Sequence, residues 1–332
     1  QGDAKSADFS GDQDYDLLIT GMTYEDEHAT NLIQGQGPLY APIENNLPAP
    51  SDRGSLDWKD FDGDSDPDIL ISGLDPSGVH DYMNDIYICE EGNYTLLDPG
   101  IDGIMRGDTK WFDYDNDGDL DIITSGFLNT MPVTKLFENQ GGGYVETDDE
   151  FIGAQNSSID IADYDHDGDM DILLTGAISE IPYRLTAIYR NEGDGFIEIS
   201  GPFAQVSHGC AKWGDYDMDG DMDILLTGEI FDGGRYTGIY RNVNGQWFET
   251  PDTSVLLDVR YSSAAWGDLD NDGDLDCIIS GLEYIDAEWQ PATRLYLNND
   301  NHFVDLDLYP VSYTHLRAHE TVLDLVCRLL LE

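Results

Sequence analysis

DYDNDGDLDIITSG, residues Asp113–Gly126, decides how the whole chain is read. Aspartates fill the odd positions of its first nine residues, Gly118 interrupts them, and a short apolar β-type run ending in Gly126 follows at once. The pattern recurs without gaps as DFSGDQDYD from Asp8, DFDGDSDPD from Asp60, DYDHDGDMD from Asp163, DYDMDGDMD from Asp215 and DLDNDGDLD from Asp268. The starts lie 52, 53, 50, 52 and 53 residues apart. The last glycine of the following run (Gly21, Gly73, Gly126, Gly176, Gly228, Gly281) always falls thirteen residues after the first Asp. A fixed period of this length marks a repeat architecture.

Outward from the loops, most are preceded by an alternating stretch such as HGCAKWGD or SSAAWGD. They are followed by another, TAIYRN, TGIYRN or TRLYLN, and by a last one near FIEIS or HFVDL. Gly- and Asn-rich turns such as Asn191–Gly195 join the third stretch to the fourth, as a hairpin requires. Four short strands per repeat and no helical periodicity predict an all-β fold, a β-propeller of four-stranded antiparallel blades. Six blades are visible, over about 1–48, 49–100, 101–150, 151–202, 203–254 and 255–310. Trp58, Trp111, Trp213 and Trp266 each lie two residues before the first Asp, with Ile161 in that place in the fourth repeat. Recurrence in blade after blade assigns them to packing between neighbours rather than to stacking on a sugar.

The chain carries 68 acidic against 15 basic residues, a net charge of −53, yet 40% of it is hydrophobic and 11% aromatic. A disordered acidic chain lacks such aromatics, so the carboxylates belong to a folded body whose repulsion bound cations would relieve. Nucleic acid and anionic membrane surfaces are excluded as partners by charge. No run of eighteen apolar residues is present, so no direct membrane insertion is expected. Cys89, Cys210, Cys277 and Cys327 match neither a zinc site nor a disulfide framework and read as buried thiols.

Within each loop the side chains at positions one, three, five and nine can converge on a cation, with the position-six glycine allowing the sharp turn. The predicted ligands are Asp8, Ser10, Asp12 and Asp16; Asp60, Asp62, Asp64 and Asp68; Asp113, Asp115, Asp117 and Asp121; Asp163, Asp165, Asp167 and Asp171; Asp215, Asp217, Asp219 and Asp223; and Asp268, Asp270, Asp272 and Asp276. A backbone carbonyl near position seven would complete each set. Oxygen donors in this number suit Ca²⁺, which takes about six to eight oxygens, whereas zinc would call for His or Cys. The expected cofactor is therefore calcium, five or six ions. An EF-hand is rejected: position twelve holds Ile19, Ile71, Thr124, Leu174, Leu226 and Ile279 in place of its bidentate Glu, and the flanks are strands. Ser10, together with Gln13 at the glycine position, makes the first site the weakest expected; Ser65 stands at that position in the second.

From Val311 the acidic repeat gives way to VSYTHLRAHETVLDLVCRLLLE. Its first eleven residues resemble the conceptual translation of a transposase-type sequencing adapter, so 311–332 is set apart as a non-native tail, with the gene expected to be truncated near Pro310. Without it the body still carries −52, three acids and two bases being removed. Opening at Gln1 without Met, the chain reads as a mature secreted protein or a piece of a longer one.

The Asp loops, the following [IL]-x-x-[TS]-G strand and the preceding W-G-D together resemble the FG-GAP/VCBS repeats of integrin-like β-propellers, over residues 1 to 310. The resemblance implies a ring usually of seven blades, and an extracellular setting, secreted or cell-surface attached. The WGDYDxDGDxDILLTG and IYRN-x-G combination is similar to large surface proteins of Bacteroidota-like bacteria. The loops between second and third strands would face away from the metal loops, and their aromatics Tyr24, Tyr82, Tyr183, Tyr236, Tyr284 and Trp289 are nominated to bind an extracellular protein or glycan. Adhesion or ligand binding is the expected role. Polysaccharide lyase or hydrolase chemistry and a passive spacer are the alternatives, although the histidines show no HExxH or triad-like spacing.

Overall fold

The computed structural model describes residues 3–7, 16–22, 28–36, 39–43, 45–75, 82–90, 92–180, 183–250, 253–285 and 287–306. Asp8, Ser10, Asp12, Tyr24 and the segment 311–332 lie outside the described residues. The fold is all-β: six four-stranded antiparallel sheets, each built from four consecutive strands in sequence order, form the blades of a β-propeller. Among the described residues the one helical element is a 3-10 turn, Phe231–Gly233. Two compact units divide the chain between Gln155 and Asn156, with three blades in each.

Blade five shows the plan. Its strands run Ser207–Gly214, Asp223–Glu229, Arg235–Val243 and Gln246–Glu249. The second strand, DILLTGE, is buried over its first six residues. It lies between two strands of its own sheet with both faces covered, hence an unbroken apolar run rather than alternation. Equivalent strands Asp68–Leu74, Asp121–Leu128 and Asp171–Ala177 show the same burial. With strands consecutive and antiparallel, each Asp loop and third-to-fourth-strand turn share one end of the blade, and the second-to-third-strand loop occupies the other.

Within each unit the seams between blades are aromatic. Trp111 stacks on Phe61 of the preceding blade at 5.6 Å and 15°. Trp213 stacks on Tyr164 at 5.4 Å and 3°, and Trp266 on Tyr216 at 6.2 Å and 7°. Trp58 packs with Leu18 and Leu32 of the first blade. The expected packing role of these tryptophans is thus observed. The ring that Trp111, Trp213 and Trp266 each meet is position two of the neighbour's Asp loop, a pairing the sequence reading did not make. Polar pins run alongside: Asp57 accepts the Trp111 amide at 2.9 Å, and Asp160 accepts the Trp213 amide at 2.9 Å. Cys89, Cys210 and Cys277 are free and buried, as read.

The first strand of several blades opens with a bulge. Arg106, Asn156, His208 and Tyr261 adopt φ of 54°, 49°, 55° and 51°, and the ladder shifts register at Ser207/Cys210 and Arg260/Ser263. Gly209 is obligatory beside it, because a Cβ there would meet the Thr227 carbonyl oxygen at 1.9 Å.

Candidate metal centres

Each loop is wound by its own carboxylates. In blade three Asp113 Oδ1 accepts the Asp117 amide at 3.1 Å and Oδ2 accepts the Gly118 amide at 3.0 Å. Asp163, Asp215 and Asp268 repeat this on positions five and six of their loops. In blade two Asp60 instead takes the amides of Gly63 at 2.8 Å and Ser65 at 3.1 Å. Positions four and six both sit in left-handed backbone. Asn116, His166, Met218 and Asn271 have φ between 55° and 62°, and Gly118, Gly168, Gly220 and Gly273 between 94° and 98°. Blade two exchanges the residue types, with Gly63 at φ 79° and Ser65 at φ 77°. Ser65 therefore carries the conformational cost anticipated for it.

Position nine, the first residue of the second strand, does more than close the loop. Asp121 is 1% exposed; its Oδ2 accepts the Tyr114 amide at 3.0 Å and its Oδ1 the Asn139 amide on the third strand at 2.8 Å. The same double bridge holds Asp68, Asp171, Asp223 and Asp276. Asp16 accepts the Gly35 amide at 2.7 Å. One buried carboxylate thus ties the loop to its own blade.

The loops gather carboxylates at positions one, three and nine. Asp60, Asp62 and Asp68; Asp113, Asp115 and Asp121; Asp163, Asp165 and Asp171; Asp215, Asp217 and Asp223; and Asp268, Asp270 and Asp276 each bring oxygens within 4.8 Å of one another. The position-five carboxylates do not join these triads. Asp64, Asp117, Asp167, Asp219 and Asp272 each turn an oxygen to the position-seven amide, at 2.8 to 3.2 Å.

Electrostatics and donor chemistry both fit a hard cation. Burial pushes Asp121 and Asp171 up to about 7 and Asp223 to about 8, outweighing the backbone amides that favour their charged forms, and neighbouring loop carboxylates add to the rise. Asp115, Asp165 and Asp217 at position three are raised as well, by burial first and then by adjacent aspartates. Asp274 Oδ1 is buried without a hydrogen-bond donor, and Asp217 Oδ2 is buried against the Arg241 guanidinium. Like charges this close call for a cation, and an all-oxygen set suits Ca²⁺ rather than Zn²⁺.

At the opposite blade ends, the nominated aromatics have unequal surroundings. Tyr183 is 44% exposed, Tyr284 48% and Trp289 37%, while Tyr82 is half-buried. Tyr236 is turned into a polar cluster, its hydroxyl 2.8 Å from both the Tyr240 hydroxyl and Glu249 Oε1. Sequence reading missed the arginines there. The Arg260 guanidinium lies 3.3 Å from the Trp289 ring centroid and that of Arg235 5.7 Å away. Glu229 draws in Arg184 at 2.6 Å and Arg260 at 3.7 Å. Among the described residues no helix is long and apolar enough to cross a membrane.

Residues 113–174 and 215–279 match the sequence model of the FG-GAP-like repeat. Each match runs from one Asp loop through the next, and together they take in the four loops with glycine at position six. No curated protein matches the chain in sequence. The chain therefore carries FG-GAP-like repeats on a β-propeller of six visible blades, with carboxylate clusters able to hold metal ions.

Proposed function

We propose that the chain is an extracellular calcium-binding propeller that serves as an adhesion or ligand-binding module. The recurrence of one three-carboxylate triad in five blades carries the calcium reading. An isolated acidic turn needs no cation, but five copies on buried anchors, in a chain of net charge −53, leave charge that solvent alone does not offset. Positions one, three and nine would hold the ion by side chain, and position five is near enough in sequence to turn toward it on binding. Extracellular millimolar calcium would suffice, since sites of this open kind bind at about 10⁻⁴–10⁻³ M.

Ligand binding is assigned to the second-to-third-strand ends, where the exposed rings of Tyr284 and Trp289 lie beside the partly buried guanidinium groups of Arg235 and Arg260 in an otherwise acidic protein. A protein or glycan bearing carboxylates fits that chemistry. Calorimetric titration of calcium into the chelator-stripped protein tests the first claim: uptake at five or six sites with a large rise in melting temperature is expected, and no uptake refutes it. A glycan array tests the second, with retention abolished by Trp289→Ala as the expected result. Turnover would indicate an enzyme, and silence a passive spacer.

A further inference from the structure

One third-strand position varies in charge from blade to blade beside an otherwise constant loop. The amides that hold the position-nine carboxylates belong to Cys89, Asn139, Asn191, Asn242 and Asn298. The residue just before each is Ile88, Glu138, Arg190, Arg241 or Leu297. In blade five Arg241 Nη2 lies 2.8 Å from Asp219 Oδ2, and its Nε rests against Asp217 Oδ2. That second contact lacks hydrogen-bonding geometry: the Nε and both Asp217 oxygens are buried with no hydrogen-bond partner. The guanidinium neutralises the position-three carboxylate without being fitted to it.

In blade four Arg190 stands in the same place, with Nε 3.7 Å from Asp165 Oδ2, but Glu192 Oε1 holds that Nε at 2.6 Å. In blade three the residue is Glu138, an acid in the place of the two arginines, next to the Asn139 whose amide holds Asp121, and its Oε1 accepts Gln140 Nε2 at 3.4 Å. Blades two and six present Ile88 and Leu297 and contribute no charge at this position.

Resting on the calcium reading above, we infer that this third-strand residue grades the metal sites. Glu138 gives blade three an additional carboxylate, and Arg190 and Arg241 are built-in counter-ions that a divalent cation must displace from blades four and five. Blade five, where the guanidinium spans two loop carboxylates, is the weakest of the described sites. Blade four is intermediate because Glu192 shares its arginine. At low calcium the arginines keep these two loops from repelling themselves apart, and at high calcium they yield.

Calcium isotherms of the full chain, as wild type and as Arg241→Leu, Arg190→Leu and Glu138→Leu, test this, with melting in EDTA followed in parallel. Arg241→Leu is expected to tighten one site by about tenfold, from removal of a positive charge next to a divalent one. In EDTA the same variant is expected to melt lower, because Asp217 and Asp219 lose their counter-ion. Arg190→Leu should act in the same direction and less, and Glu138→Leu should weaken one site. Arg241→Gln provides a milder form should the leucine variant fold poorly. An arginine with a purely structural role would lower melting in EDTA and in calcium alike without tightening any site, and that result would overturn the inference. Calcium uptake with unchanged isotherms in every variant would overturn the grading alone, whereas no uptake by any form would overturn the calcium reading beneath it.

Discussion

The stability effect of Asp121→Asn should depend on calcium. Asp121 is 1% exposed and accepts one amide on each oxygen. Asparagine keeps one acceptor and turns an NH₂ toward the other amide, leaving a buried N–H unpaired at about 1–3 kcal/mol. Against this, the carboxyl is raised to about 7 from 3.8. Keeping it in the metal-free fold at pH 7 therefore costs about 4 kcal/mol relative to the unfolded chain, a cost the neutral amide removes. In EDTA the two effects oppose each other, and the variant should be as stable as the wild type or more so, by up to about 3 kcal/mol. With calcium at about a hundred times its dissociation constant, an intact site adds about 2.7 kcal/mol to the wild type that the variant forfeits. The advantage seen in EDTA should then be cancelled or reversed, leaving the variant level with the wild type or less stable by up to about 3 kcal/mol. Urea unfolding followed by tryptophan fluorescence in each condition measures both differences. Equal destabilisation in EDTA and in calcium would refute the reasoning, since it would make Asp121 a backbone bridge with no part in a metal site.

Acidity should stabilise the metal-free protein. Asp121, Asp171 and Asp223 titrate near 7, 7 and 8 in the fold but near 3.8 when unfolded, so their penalty is full above pH 8 and fades as pH falls towards 4. Scanning calorimetry in EDTA should show the melting temperature rising from pH 8 to pH 5; with calcium bound the trend should reverse as protons compete for the ligands. Trp213→Ala removes the ring stacked on Tyr164 and should cost about 3–5 kcal/mol in denaturant unfolding while the number of calcium sites stays the same. Ser65→Gly relieves a left-handed serine and should stabilise by about 1 kcal/mol, read as a higher urea midpoint.

The blades were legible because their signals are local: an apolar run after every loop, turn residues at fixed offsets, tryptophans in step. The three converging positions in each of the five described loops were among the four read from the Asp spacing. Position five looks like the other four aspartates in sequence, and only the backbone shows that its carboxylate also meets the position-seven amide. Position four hid in plain view. Asn116, His166, Met218 and Asn271 share a left-handed conformation but no side-chain chemistry, and only the two asparagines and Gly63 hinted at it. His166 at that position reaches the Gly220 carbonyl of the next loop at 2.6 Å. Arg241 and Glu138 were invisible for another reason, since their meaning depends on a third strand lying beside a loop some twenty residues earlier.

Phe61, Tyr164 and Tyr216 each stand between two acidic residues of a loop while their rings support the tryptophan of the following blade. Loop and seam share a residue, so the backbone cannot rearrange around an ion without moving the ring on which the neighbour leans. Such an array behaves as a chain of coupled springs rather than a row of separate beads. Damage done in one loop is felt one blade further along, and a titration curve for the array reports on joints as well as on sites.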